Sequence, residues 1–140
     1  MPKMEAGAIL RGLSGFTGTE NYTRHSLARR MVMTDGVVWL REAADCFWLV
    51  DAIASHLMTN RRLQREDFQV WKFEKFGEGD MADANHPHML TCTDGNKGTR
   101  PLASQEITYS DFPLNEITLF CERGAVADQA VMVLMLPGER

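Results

Sequence analysis

The stretch FTGTENYTRH, residues 16–25, holds side chains that could do nucleophilic or acid–base chemistry. A threonine hydroxyl such as that of Thr19 and the imidazole of His25 would need a positioned base and an orienting carboxylate to act together. The nearest carboxylate in the sequence belongs to Glu20, and nothing in the spacing places it on His25. Glycine and threonine also serve turns, through backbone freedom and local hydrogen bonds. We therefore interpret the stretch as a turn that leads into a short strand.

Two further polar residues, Thr34 and Asp35, precede the segment GVVWLREAA. Threonine and aspartate are preferred at helix N-caps, so one of them is expected to cap a helix here. With Thr19 and His25 they would form a ligand site if the fold gathered all four. The stretch FTGTE matches neither a Walker loop nor G-x-G-x-x-G, and we predict no cofactor.

Asp51 lies inside an apolar segment, CFWLVDAIASHLM. An unpaired buried carboxylate is costly. We therefore expect Asp51 on the polar side of a helix, or paired with an arginine such as Arg24 or Arg62.

His86, His88 and Cys92 are weak candidates for a metal site. Imidazole and thiolate are good ligands for zinc and other transition metals. Their spacing, H-x-H-x3-C, belongs to no standard tetrahedral site, and a fourth ligand is unassigned. The sequence therefore predicts no metal centre.

The composition is that of an ordinary globular protein, with 44% hydrophobic and 24% charged residues in 140. The longest apolar run, near the C-terminus, is far shorter than the roughly 20 residues that cross a bilayer. Cys46, Cys92 and Cys121 are odd in number and widely spaced, which favours free thiols in a reducing compartment. We expect a cytoplasmic protein with no membrane association.

The net charge of −4 is unevenly distributed along the chain. Residues 1–66 hold nine Lys/Arg and seven Asp/Glu, whereas residues 67–140 hold six and twelve. The basic residues fall in two small groups, RHSLARR and NRRLQRE, which are typical of solvated surface. Direct binding of nucleic acid, which needs a concentrated basic face, is therefore not expected.

The order of patterns predicts one α+β domain over residues 1–140. A helical block covers about 4–58, with Thr34 or Asp35 capping its second helix and Asp45 capping the third. A β meander covers about 68–136, because short β-favouring segments alternate there with turn residues. We expect an antiparallel sheet of four to five strands packed against two or three helices.

Several stretches together resemble a family of small bacterial proteins of unknown function: FTGTE, TDGV, WLVDAIASH, FQVWK and DFPLNEITLF. Members of that family are common on phages, plasmids and other mobile elements. The resemblance spans about residues 13–120 and brings no catalytic residues with it. It implies an accessory protein of a mobile element that binds host or defence machinery, such as an anti-CRISPR-like inhibitor of an anti-phage complex.

Two classes of function follow. The first is a protein that binds a protein partner and has no turnover chemistry, with Tyr22, Arg24, Glu116 and Glu122 as the contact residues; a homodimer is compatible with it. Aromatic residues anchor interfaces well, and complementary charge steers association. The second is a small enzyme or ligand-binding protein that uses Thr19, His25, Thr34 and Asp35.

Overall fold

The computed structural model describes residues 4–75, 88–96, 100–108 and 110–140. Within these ranges the helices are α1 (Ala6–Leu13), α2 (Asp35–Ala43), α3 (Phe47–Thr59) and α4 (Arg61–Arg65). The strands there are β1 (Tyr22–Arg24), β2 (Met31–Thr34), β3 (Phe68–Glu74), β4 (His88–Thr93), β5 (Ala103–Ile107), β6 (Glu116–Val126) and β7 (Gln129–Met135). A 3-10 turn, Pro137–Glu139, follows the last strand.

The expected sheet of four to five antiparallel strands with two or three helices is wrong. The described residues form one seven-stranded mixed sheet, in the order β1-β2-β7-β6-β3-β4-β5, with four helices. The two additional strands form a hairpin inside the mainly helical block, where a short strand was predicted but not its pairing in the sheet. Its second strand, β2, pairs in parallel with β7, so that Val32 lies opposite Val133.

The strands after residue 67 do not follow one another as a meander. β6 pairs with β3 and β7, and not with β5, which precedes it in the chain. The connection from β5 to β6 therefore passes β4 and β3. β6 and β7 are joined by a tight turn in which Ala127 and Asp128 both have positive φ, 51° and 65°. Two such residues are typical of a type I′ hairpin turn.

One face of the sheet, which we call the inner face, forms the core with the helices. Trp71 and Phe73 point to it from β3, and Leu119 and Cys121 from the neighbouring β6. Every helix adds buried side chains to the same core, including Ile9, Val37, Leu40, Ile53 and Leu63. The helix α3 buries one face, at helical spacing, although its sequence is apolar on most of its circumference; Phe47 and Met58 are exposed.

The opposite face, which we call the outer face, is built differently. Alternate residues of a strand point to opposite faces, so Phe68 and Val70 of β3 lie here. Their pairing partners Glu122 and Phe120 extend the face across β6. Phe68 and Phe120 meet edge to face, with ring centroids 5.1 Å apart. In the described part of the chain the helices pack on the inner face. On the outer face Phe68, Val70 and Phe120 are half-buried, whereas Val32, Val131 and Met135 of β2 and β7 are buried.

The turn between α2 and α3 shows how this helical pair is built. Thr34 caps α2 as expected, since its side chain accepts a hydrogen bond from the backbone N–H of Val37. The assignment of Asp45 as the cap of the next helix is wrong, because Cys46 occupies that position. Asp45 instead ends α2 in the left-handed conformation, with φ 49°. Its N–H donates to the carbonyl of Glu42 and the N–H of Cys46 donates to that of Arg41, at 3.2 and 3.0 Å, which is a Schellman motif.

We expect Asp45→Gly to stabilise the protein by about 0.5–1 kcal/mol. Glycine adopts positive φ without a Cβ clash, and the change removes a negative charge from a helix C-terminus. The free energy of unfolding in urea measures the effect. The adjacent change Ala44→Gly is the control, because Ala44 has right-handed φ and should be destabilised by glycine. An equal loss of stability in both variants would contradict the prediction.

Candidate functional site

The four residues of the expected ligand site lie at two ends of the β1–β2 hairpin. Thr34 is opposite Tyr22, whereas the backbone N–H of His25 bonds to the carbonyl of Met31. Three positions along the ladder separate these ends, or about 10 Å. The structure therefore gathers Thr19, Thr34 and Asp35 in one place and puts His25 in another.

At the first end the polar side chains hold the backbone of the loop. The Asp35 carboxylate accepts from the N–H groups of Glu20 and Asn21, at 3.0 and 3.3 Å. The hydroxyl of Thr19 donates to the carbonyl of Asn21 at 2.7 Å and accepts from the N–H of Asp35 at 2.9 Å. These contacts shape the turn that enters β1.

A residue that the sequence analysis missed, Glu139, completes this end. Its carboxylate accepts from the hydroxyl of Thr34 at 2.6 Å and from the N–H groups of Gly36 and Leu136, both at 3.0 Å. A carboxylate at the start of α2 is also favoured by the helix dipole. Thr34 and Glu139 are 105 positions apart in the sequence, so no local signal predicted this contact.

At the second end, His25 contacts Asp51 of α3. The imidazole Nε2 and the carboxylate Oδ1 are 2.8 Å apart. The other ring nitrogen, Nδ1, accepts from the N–H groups of Leu27 and Ala28, at 3.1 and 3.0 Å. These partners assign the proton to Nε2 and the lone pair to Nδ1. Asp51 lies on the exposed side of α3, in agreement with the first of the two alternatives, and its partner is His25 and not an arginine.

Both ring nitrogens of His25 are engaged, so the pair does not have the geometry of a general base poised over a nucleophile. The imidazole is almost fully buried, whereas 59% of the Asp51 side chain is exposed. The contact fixes the turn after β1, at residues 27–28. His25 thereby connects this turn to the central helix.

The weak metal candidates are separated by the strand. His88 and Cys92 are buried on the inner face of β4, four positions apart, which is about 13 Å along a strand. Two ligands of one zinc ion, each about 2.0–2.3 Å from it, cannot be so far apart. His86 lies outside the described residues. Among the described residues no three His, Cys, Asp or Glu side chains come together to hold a metal ion.

The four expected partner-contact residues share the outer face. Tyr22 and Arg24 lie on β1, and Glu116 and Glu122 lie on β6. Half of Tyr22 is exposed. Glu116 is 3.6 Å from the Lys72 ammonium, and Glu122 is 3.4 Å from the guanidinium of Arg140.

A cleft that the sequence analysis missed lies where β7 extends beyond β2. It consists of two adjoining cavities of about 320 and 350 Å³ that share Arg29, Arg30, Ala130 and Val131. The basic group RHSLARR, interpreted as solvated surface, supplies one wall of it. The opposite wall is formed by the start of β7, and the pairing of β2 with β7 brings the two walls together.

A protein family of unknown function, DUF6876, matches residues 8–140. The chain belongs to this family. No curated protein and no solved structure matches it. The matched range contains all the described strands, and with them the outer face and the cleft. Among the described residues, no helix has both the length and the apolar character to cross a membrane.

Three cysteines of this DUF6876 protein are buried thiols. Burial raises the pKa of Cys46 to about 12, and the negative charge of Asp45 adds to the effect. Burial likewise raises the pKa of Cys92 to about 12 and places that of Cys121 above the usual range. Since the thiolate is the nucleophile, these groups are inert near neutral pH.

We expect His25→Ala to destabilise the protein by about 1–3 kcal/mol, because it leaves the N–H groups of Leu27 and Ala28 without their acceptor. Asp51→Ala should cost less than about 1 kcal/mol, since that carboxylate is exposed to water. Urea unfolding of the two variants measures both values. Equal losses would show that the hydrogen bond between His25 and Asp51, and not the backbone contacts of His25, is the important part.

We expect the three thiols to resist iodoacetamide at pH 8 in the folded protein and to react in urea. Their raised pKa values leave almost no thiolate, and none of the three side chains is accessible. Mass spectrometry counts the added groups. Rapid alkylation of Cys46 in the folded state would contradict this.

Proposed function

We propose that this protein acts by binding a partner protein through the outer face of its sheet, with no turnover chemistry of its own. The observation that supports this is the common location of Tyr22, Arg24, Glu116 and Glu122. All four lie on the face that the described helices leave open.

The chemistry of that face suits an interface. Its centre holds the half-buried rings of Phe68 and Phe120, and aromatic side chains in the middle of a surface are typical binding anchors. Charged side chains surround them, as at the rim of many interfaces. Tyr22 adds an exposed ring at the sheet edge.

The charges of the face favour a basic partner. The ammonium of Lys72 lies 3.9 Å from Glu74 and 3.6 Å from Glu116, so one positive charge faces two negative ones. Exposed ion pairs of this kind contribute little to stability, so a partner can replace them at small cost. Complementary charge would then increase the rate of association.

The resemblance to small phage and plasmid proteins gives this proposal a context. A partner within host machinery or an anti-phage complex, inhibited by occupation of its surface, fits a binding protein without a catalytic site. The alternative, a ligand site at Thr19, His25, Thr34 and Asp35, is less favoured. Their polar atoms are bound to backbone groups, and His25 lies apart from the other three.

Charge reversal tests the proposal. In a bacterium that encodes the protein, tagged wild type is used to capture its partner, which mass spectrometry identifies. The double variant Glu116→Lys, Glu122→Lys should bind that partner at least tenfold more weakly, since it removes two favourable charges and adds two repulsive ones. Titration with purified partner measures the affinity.

Glu5→Lys with Glu42→Lys provides the matched control. Both residues are exposed and lie in the helical layer on the inner face, Glu5 at the N-cap of α1 and Glu42 in α2, so the same change in net charge should leave binding within about twofold of wild type. Thermal unfolding should show both double variants folded. If both double variants bound the partner equally weakly, the effect would be one of net charge and not of the outer face. Inactivation of excess partner by a trace of the protein would reveal catalysis and overturn the proposal.

A further inference from the structure

The cleft beside β7 arises from a mismatch between two strands. β2 begins to pair with β7 at Met31 and Met132, whereas β7 itself begins three residues earlier, at Gln129. The N–H of Met132 donates to the carbonyl of Arg30 at 2.7 Å, so this residue directs its backbone groups toward β2. In a β-strand, every second residue directs its backbone N–H and C=O groups to the same neighbouring strand. The backbone of Ala130 therefore faces the cleft, where the described residues supply no strand to pair with it.

The cavity on the inner side of this edge is apolar. Met31, Leu57 and Met132 form its floor, and Leu27 and Met58 stand at its entrance. Leu27 is 71% exposed and Met58 is 46% exposed, so both present apolar surface to solvent beside the cavity. Its volume of about 320 Å³ is sufficient for one or two aliphatic side chains.

The cleft is positively charged although the chain is acidic. Arg24, Arg29 and Arg30 line one cavity, and Arg123 joins the other. No Asp or Glu among the described residues lines either cavity. Arg123 is already paired with Asp67 at 2.7 Å, and Arg24 donates to the carbonyl of Arg29 at 2.9 Å. Arg29 and Arg30 are exposed, and the described residues place no carboxylate within ion-pair distance of them.

We propose that this cleft binds an acidic peptide segment in an extended conformation. Carboxylates of the peptide pair with Arg29 and Arg30, an aliphatic side chain enters the cavity behind Leu27, and the peptide backbone meets the edge at Ala130. Addition of a strand to a sheet edge is an established mode of peptide recognition. Arginine pairs with carboxylates through two parallel hydrogen bonds.

The lining of the cleft argues against a nucleic acid as the occupant. Single-stranded nucleic acids bind by stacking bases on aromatic side chains along a basic groove. Neither cavity is lined by an aromatic residue among those described. Aliphatic and methionine side chains suit leucine, isoleucine or methionine of a peptide. The proposed cleft site is centred on Arg29, Arg30 and Ala130, and of the four outer-face contact residues it shares only Arg24.

Selection from a displayed library of random heptapeptides on the purified full-length protein tests the proposal. We expect enrichment of Asp or Glu flanking a Leu, Ile or Met. Enriched peptides, labelled with fluorescein, are then titrated by anisotropy. Arg29→Gln with Arg30→Gln should weaken binding at least tenfold, and higher salt should weaken the wild type in the same direction.

Leu27→Ser should also weaken peptide binding, because it removes part of the apolar entrance. Arg61→Gln with Arg62→Gln is the matched control, since these exposed arginines of α4 lose the same charge but do not line the cleft. The control should bind within about twofold of wild type. Thermal unfolding verifies that each variant is folded.

Three results would overturn the proposal. One is a library selection that enriches no peptide, or peptides without acidic residues. Another is unchanged peptide affinity in the Arg29, Arg30 variant. The third is tighter binding of a fluorescein-labelled 20-nucleotide oligothymidylate than of any selected peptide, lost in the same variant, which would assign the cleft to nucleic acid.

Discussion

The parallel pairing of β2 with β7 is the constraint on which the rest of this structure depends. It joins the β1–β2 hairpin, from the first quarter of the chain, to the C-terminal strand. It brings Glu139 to the start of α2, where the carboxylate binds Thr34 and Gly36. Because β7 begins three residues before its first pair with β2, the same pairing also leaves a cleft at Ala130.

Polar side chains that look catalytic in the sequence serve the backbone in the fold. Nδ1 of His25 and the carboxylate of Asp35 each accept two backbone N–H groups. Buried Gln69 behaves in the same way, since it donates to the carbonyl of Leu63 and accepts from the indole of Trp71. Buried backbone and side-chain polar groups must be hydrogen-bonded. The backbone groups of irregular segments between short strands have no neighbouring strand to bond with, so side chains take that place. A loop rich in Thr, Asn and His is therefore expected beside such strands.

The predictable parts of the fold are those with a local cause. The apolar periodicity of α3, the Thr34 cap and the alternation within β6 each depend on residues a few positions apart. The three-residue strand β1 is exposed throughout and carries no such pattern. Its place in the sheet, the parallel partner of β2 and the crossover between β5 and β6 are set by contacts across long separations. For the same reason Asp51 and Glu139 could not be assigned to their partners in advance.

The charges are distributed differently along the sequence and on the surface of the folded protein. Along the chain the charge divides into a positive half, residues 1–66, and a negative half, residues 67–140. In the fold, β2 and β7 interleave these halves, so that arginines of the first half face the start of a strand from the second. Arg24 lies on the outer face and also lines the cleft. Opposite charges thus occupy neighbouring surfaces, and at physiological ionic strength each is screened within about 8 Å. A bound partner therefore experiences the local sign of the surface it touches, and not the net charge of the chain.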